Sequence, residues 1–405
     1  EEILGSVGKP ARYTGGEWNC VQKDPAAVAV RFLLALPDVY EVGMSNLGLK
    51  ILYGILNERT DTYAERAYCP WPDMEAAMRM AKSPLCSLET HTPLNQFDVV
   101  GFSLQYEMTY SNILTMLDLS GIPLESCKRG ENDPLVVGGG PCTCNPEPLA
   151  DFFDCFVVGE GETVIGEIAA VTAEWKKAGR AGGRQSVLRA LAKLSGVYVP
   201  SLYKAEYEHN GIFCGLTPIA QDIPPSVSKR LENDLDNAPF PTSPVVPYLE
   251  TVHDRIMLEL FRGCTRGCRF CQAGVVYRPV RERKPETLMR LAQELVDHTG
   301  YDEISLVSLS SADYSCLREL TDSLMKKFAP QGVSLSLPSL RVDSFSIELA
   351  NEIQKVRRSG LTFAPEAGTQ RLRDVINKGV TEEDLFEAAG AAFRSGWAGI
   401  KLYFM

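Results

Sequence analysis

From Ala27 onward the apolar residues of this chain fall in short, nearly unbroken runs separated by segments of helical spacing. Ala27–Leu36 reads AVAVRFLLAL, apolar apart from Arg31, which is the pattern of a strand buried on both faces. After a loop at Pro37–Gly43, Leu47, Ile51, Leu52, Ile55 and Leu56 recur along one helix face within Asn46–Arg59. Asp98–Leu104 (DVVGFSL) predicts a second strand, and Ser111–Ser120 a helix stopped by Gly121 and Pro123. A third apolar run, Pro134–Val137, ends in Gly138, Gly139 and Gly140. A fourth, Cys155–Val158, ends in Gly159-Glu160-Gly161-Glu162, ahead of a helix over Thr163–Lys177. Strand, glycine turn and helix in repetition predict an α/β fold: a Rossmann-like parallel sheet with helices on both faces and its ligands at the carboxyl ends of the strands.

The rhythm stops at 178–250. Gly179, Gly182 and Gly183, a polar hairpin-like stretch at His209-Asn210-Gly211, and Pro224, Pro225, Pro239, Pro241, Pro244 and Pro247 predict a linker with a small β element. A second strand-and-helix series starts at Asp254. Its strands are expected at Arg255–Leu260, Glu303–Leu309, Val333–Pro338, Gly360–Ala364 and Ala398–Met405, with helical patterns near 285–299, 313–328, 345–357 and 381–395. Such a series predicts a partial (β/α) barrel. It breaks off in the fifth strand, and an open half-barrel would leave an unpaired apolar edge, so the native protein is expected to continue past Met405. The expected organisation is an N-terminal extension at 1–26, a Rossmann-like domain at 27–177, the linker at 178–250 and the incomplete barrel at 251–405.

Composition narrows the function classes. With 405 residues, 45% hydrophobic and 23% charged, the chain has material for two globular cores. No apolar run approaches the ~20 residues that cross a bilayer, and EEILGSVGKP lacks the basic flank and apolar core of a leader, so a cytoplasmic protein without a membrane partner is expected. A net charge of −11 argues against coating nucleic acid through bulk charge. In a reducing compartment, twelve cysteines point to core residues or metal ligands before disulfides.

Three of those cysteines carry chemistry. Phe261–Gly274 reads FRGCTRGCRFCQAG, with Cys264, Cys268 and Cys271 spaced C-x3-C-x2-C directly after the first barrel strand. Three thiolates on one short loop suit three irons of a cubane cluster and leave the fourth iron open, whereas zinc is usually closed by four ligands. Gly263 and Gly267 allow the tight backbone such a loop needs. The motif, with Phe270 before its last cysteine, resembles the radical S-adenosylmethionine (SAM) superfamily over 254–405. The resemblance implies a [4Fe–4S] cluster on Cys264, Cys268 and Cys271 that reductively cleaves SAM. It implies Phe270 beside the adenine, Ser310 and Asp313 (in SLSSAD, without the usual Gly-Gly-Glu) near the methionine amino group, Ser339 and Arg341 (in LPSLRVDS) at the ribose and carboxylate, and Glu366 (in FAPEAGTQRLRDVINKG) as the glutamate after the fourth strand.

The N-terminal half is similar to the cobalamin-binding domain that precedes the barrel in one radical SAM subclass. The likeness rests on VVGFSL and on LVVGGGPCTCNPEPLADFFDCFVVGEGE. It implies Ser103, Gly138, Gly139, Gly140, Gly159 and Glu160 as corrin-contacting candidates. Related domains carry Asp-x-His-x-x-Gly, but the matching loop here, PDVYEVGMSNLGL, has no histidine, so either cobalamin would bind without that ligand or the domain has lost the cofactor. The resemblance as a whole implies a cobalamin-dependent methylation, or another C–H functionalisation, of an unidentified substrate, fed by an electron donor of the flavodoxin or ferredoxin kind. Two alternatives stand beside it. Arg262, Arg266, Arg269, Arg278, Arg281, Arg283 and Lys284 crowd the cysteine loop and could receive RNA, as in a methylthiotransferase-like enzyme. A non-catalytic iron–sulfur protein is the other. Cys142 and Cys144, with Cys155 nearby, form a weaker second candidate metal site.

Overall fold

The computed structural model describes residues 3–337, 342 and 361–405. The chain divides into two compact units, Glu1–Glu232 with Pro239–His253, and Asn233–Ala238 with Asp254–Met405.

Unit 1 is built on a six-stranded sheet ordered β2-β1-β3-β4-β5-β6. Its strands are β1 Val30–Leu36, β2 Thr62–Tyr68, β3 Val99–Ser103, β4 Leu135–Gly139, β5 Cys155–Val157 and β6 Val197–Tyr198. The first five run parallel, with Phe32 opposite Ala64 on one side and Val99 on the other. β6 is antiparallel to β5, a departure from the all-parallel expectation. Because both faces of β1 are apolar, its residues divide between two cores. Phe32, Leu34 and Leu36 pack with Leu49 and Leu56 of α1 (Leu47–Glu58) and with α4 (Val164–Lys177). Leu33 and Ala35 pack with Met78 of α2 (Pro72–Ala81) and with Ile113, Met116 and Leu117 of α3 (Tyr110–Leu119). Local signals set the helix starts: Asn46 accepts from the Leu49 N–H at α1, and Pro72 opens α2.

The edge strand β2 has no counterpart in the hydrophobic pattern. It reads TYAERAY, yet all seven residues are buried. Its two charges are each satisfied inside the protein. Glu65 accepts from Arg31 (2.6 Å), Ser87 (2.7 Å) and Thr90 (2.6 Å). Arg66 pairs with Glu89 (2.6 Å) and with Glu17 (2.8 Å). Burial raises both of these carboxyls and Arg66 lowers both, leaving Glu17 below its ordinary value and Glu89 above. Arg66→Met should therefore cost about 3 kcal/mol at neutral pH. Without the cation both folded-state values rise, so the deficit should shrink as pH falls and the carboxyls take up protons. Urea unfolding at pH 7 and pH 5 checks this.

The segments expected as an extension and a linker are structural parts of unit 1. Glu17 is buried, and Leu202, Ile223 and Val245 belong to the core. Residues 178–250 supply α5 (Gly183–Leu191), strand β6 and an antiparallel hairpin of β7 (Tyr203–Tyr207) with β8 (Phe213–Pro218). Within that stretch, Asn233–Ala238 belongs to unit 2, where Leu235 is buried.

Unit 2 holds a parallel sheet ordered β13-β12-β9, from β9 Ile256–Glu259, β12 Glu303–Val307 and β13 Ser334–Ser336. A second parallel pair is β14 Leu361–Glu366 with β15 Ile400–Phe404. The helices are α6 Pro285–Thr299, α7 Leu317–Phe328, α8 Gln370–Val375 and α9 Glu382–Arg394. A Thr381–Asp384 capping box starts α9. All five expected strands are present; the helix expected near 345–357, together with Ser339 and Arg341, lies outside the described residues.

Candidate functional site

The cysteine loop is made by a short strand turning back on itself. Beyond β9, Phe261–Arg262 (β10) pairs antiparallel with Arg281–Glu282 (β11), which closes residues 263–280 into one loop at the carboxyl end of the first strand of the unit. Gly263 enters it at φ 93°, and a Cβ there would stand 2.6 Å from the Pro279 carbonyl oxygen, so glycine is required. Gly267 turns at φ 72° between the first two cysteines. Cys264, Cys268 and Cys271 are all free thiols and half-buried. Among the described residues, no three Cys, His, Asp or Glu side chains stand close enough to share a metal ion. Thiol loops tighten around their metal on binding, because thiolates repel one another until cations neutralise them. The donor set itself suits an iron–sulfur cluster: three accessible thiols, two short spacers, no disulfide.

The arginines around this loop are committed to protein partners. Arg262 and Arg283 both pair with Glu259, at 2.9 and 3.1 Å. Arg266 forms a two-pronged ion pair with Asp313. Arg281 donates to the Pro279 carbonyl (3.1 Å), and Arg269 to the Val375 carbonyl (2.6 Å). Arg281 and Arg283 are buried, whereas Arg266, Arg269 and Arg278 are exposed, so the cluster divides between internal bracing and the surface. Lys284, with an exposed side chain, has Asp236 at 3.9 Å.

Other candidates in unit 2 separate into two groups. Ser310, after β12, is buried and its Oγ finds no hydrogen-bond partner among the described residues, as a ligand-binding hydroxyl would. Phe270 is exposed, with the Lys378 ammonium 5.9 Å from its ring centroid. Asp313 and Glu366, by contrast, are engaged by the protein. Asp313 holds Arg266, and Glu366 sits 3.0 Å from Lys378. Glu366 also adopts φ 67°, unusual for a residue with a side chain.

In unit 1 the glycines divide likewise. A Cβ on Gly138 would lie 2.7 Å from Phe156, one on Gly140 2.8 Å from the Leu104 carbonyl, and one on Gly159 2.2 Å from the Arg230 carbonyl. Those three serve the packing of the domain. Gly139 has no atom within 4 Å of that position, so its backbone at the carboxyl end of β4 is open to an approaching group. Ser103 ends β3 and accepts from Gln105 (2.8 Å), while the Glu160 carboxylate accepts from the Glu232 N–H. Cys155 is fully buried, and burial raises its pKa; Cys142 is buried and Cys144 exposed. A cavity of about 260 Å³ beside α1, lined by Gly43, Met44, Tyr53, Arg66, Tyr68 and Val245 among others, is smaller than the usual pocket for a drug-sized ligand.

Sequence reasoning missed Glu259, Asn377 and Lys378. Asn377 donates to the Gly267 carbonyl (2.8 Å), more than a hundred residues away in sequence, and no local pattern marks such a pairing.

Comparison with known proteins places these features in context. The family model for radical SAM proteins, N-terminal, matches residues 48–200, and that for the radical SAM superfamily matches 258–405. An uncharacterised protein of Methanocaldococcus jannaschii is 32% identical over 321 residues, 78% of this chain and 60% of its own length. An uncharacterised methyltransferase of Pyrococcus horikoshii is 22% identical over 274 residues, covering 66% of this chain and 52% of its own. The chain thus spans little more than half of each of these relatives. Among solved structures, the cobalamin-dependent SAM radical enzyme OxsB with aqua-cobalamin bound matches with a TM-score of 0.57 at 13% identity, over 93% of this chain and 49% of that one. The radical SAM methyltransferase TsrM from Kitasatospora setae, with cobalamin and a [4Fe–4S] cluster bound, matches at 0.56 and 15%, over 92% and 68%. At such identities the likeness is one of fold.

Proposed function

Since the chain belongs to the radical SAM superfamily, we propose that Cys264, Cys268 and Cys271 hold a [4Fe–4S] cluster and that the protein cleaves SAM to functionalise an unactivated carbon or other poor nucleophile, with cobalamin as methyl carrier. The observation that carries this reading is the closed three-thiol loop at the carboxyl end of β9. When bound, the cluster supplies the electron that cleaves SAM to methionine and a 5′-deoxyadenosyl radical, and a corrin supplies the methyl group.

The chain's own residues have definable tasks. The three thiols ligate iron and leave one iron for SAM. Ser310 offers its buried, unused hydroxyl to the methionine end of SAM, and Phe270 an exposed ring to the adenine. Ser339 and Arg341 keep their expected ribose and carboxylate roles on sequence grounds. Asp313 and Glu366 act instead through Arg266 and Lys378, holding the loop. In unit 1, Gly139 and Ser103 at the ends of β4 and β3 would receive the corrin, without a histidine from the loop after β1. A cytoplasmic setting and a flavodoxin- or ferredoxin-like donor suit a cluster that needs low-potential electrons.

The test is anaerobic reconstitution with iron and sulfide, followed by dithionite and SAM, with 5′-deoxyadenosine read by mass spectrometry. An intact cluster that leaves SAM uncleaved and shows no SAM-induced EPR change would favour a non-catalytic iron–sulfur protein. Hydroxocobalamin binding, read by absorbance, tests the second half. Gly139→Leu should weaken it about 10-fold or more with the melting temperature nearly unchanged, because the added side chain enters open space. Gly138→Ala should destabilise the fold, since its Cβ meets Phe156 at 2.7 Å.

A further inference from the structure

We propose that the turn Val375–Lys378 is a positioning element for the cluster loop, with Asn377 as its principal side chain; this rests on the reading of Cys264, Cys268 and Cys271 as cluster ligands. The loop has two inter-cysteine spans, and the same turn pins both. In the first span, the Gly267 carbonyl accepts from Asn377 Nδ2 at 2.8 Å. In the second, the Arg269 N–H donates to the Ile376 carbonyl (2.9 Å) and Arg269 Nη1 to the Val375 carbonyl (2.6 Å).

The turn is itself held firmly. It follows α8, whose Thr369 cap accepts from the Leu372 N–H. Asn377 takes φ 54°, a left-handed conformation that asparagine tolerates better than most residues, with its N–H on the Asp374 carbonyl (3.0 Å). The next residue, Lys378, joins Glu366 at the end of β14 (3.0 Å) and faces the ring of Phe270. The link therefore runs from strand β14 through Glu366 and Lys378 to the turn, and from the turn to both spans of the loop.

The physical need is clear. Ordering a free loop costs conformational entropy at every residue, and three thiolates brought together repel one another. A loop already ordered by fixed donors and acceptors escapes most of the first cost. Loss of such an outer partner typically weakens metal sites about 10–100-fold.

The test uses the full chain and reads the cluster without turnover. Iron and acid-labile sulfide are measured after anaerobic reconstitution, and the rate of cluster loss to a chelator is followed by absorbance. Asn377→Gly keeps the left-handed backbone and removes the amide; Asn377→Asp keeps the shape and removes the donor. Both should lose the cluster about 10-fold faster or more, whereas Arg371→Ala, an exposed change on the same helix, should match the wild type. In the untreated wild-type chain, the Arg269 amide should be protected from hydrogen exchange by its bond to Ile376, a measurement that needs no variant to fold. Wild-type retention in both Asn377 variants, or an unprotected Arg269 amide, overturns the positioning role alone. A wild-type chain that takes up no cluster overturns the reading of the loop and this inference with it.

Discussion

Cys268→Ala should leave the protein folded but unable to retain its iron or form 5′-deoxyadenosine. Cys268 stands between the two spans of the loop, half-buried and free of any disulfide. With the three cysteines read as cluster ligands, its loss leaves two thiolates for three irons. Outer partners of a metal site already contribute about 10–100-fold, so removal of a direct ligand should lower product formation by more than about 100-fold. The folded state should hardly notice: a half-buried thiol packs little apolar surface, so the melting curve should stay near that of the wild type. Iron content, 5′-deoxyadenosine yield and thermal melting on the same preparation separate the two effects. Normal iron and product in this variant would remove Cys268 from the ligand set.

Asp154→Ala should produce the largest loss of stability, about 3–5 kcal/mol. Asp154 precedes β5 and is buried with two guanidiniums, Arg129 at 3.0 Å and Arg184 at 2.7 Å. The same carboxylate accepts from the Val136 N–H of β4 (2.7 Å), so it also ties neighbouring strands. Alanine leaves two buried cations without their shared anion and one strand N–H without its acceptor. Backbone carbonyls hold some donors, such as Arg129 Nη2 on Phe152 (2.7 Å) and Arg184 Nη2 on Pro134 (2.7 Å), but they carry no compensating charge. Guanidinium stays protonated at any workable pH, so this deficit should be nearly independent of pH. That behaviour is opposite to Arg66→Met, where the stranded groups are carboxyls that acid can neutralise. Denaturant unfolding of both variants at pH 7 and pH 5 distinguishes them. Asp154→Asn, which can keep the acceptor shared by Val136, Arg129 and Arg184 but loses the charge and the oxygen that accepts from Arg184 Nε, should fall between wild type and alanine.

Much of the fold was legible because it rests on local regularities. The runs at Ala27–Leu36 and Asp98–Leu104 became central parallel strands, since a strand covered on both faces must be apolar throughout. Strand β2 was illegible for the converse reason. TYAERAY carries two charges whose burial depends on Arg31, Glu17 and Glu89, which lie elsewhere in the chain. The segment 178–250, rich in glycine and proline, gave no sign that Leu202, Ile223 and Val245 would enter the core.

The site divides in the same way. The C-x3-C-x2-C spacing, the aromatic at Phe270 and the glycines at Gly263 and Gly267 are written in one contiguous stretch, so the sequence by itself determined the family and the proposed donor set. Spacing along a chain cannot tell whether a glycine faces a ligand or a neighbouring backbone. Only the tertiary structure showed Gly138, Gly140 and Gly159 filled from within and Gly139 open. Only it showed Arg262, Arg266, Arg269, Arg281 and Arg283 engaged by Glu259, Asp313 and backbone carbonyls, and brought Asn377 to Gly267. A metal ligand is chosen by the chemistry of its own side chain, which sequence records directly; a supporting contact is a property of two distant segments, and exists only once folding has closed the loop between them.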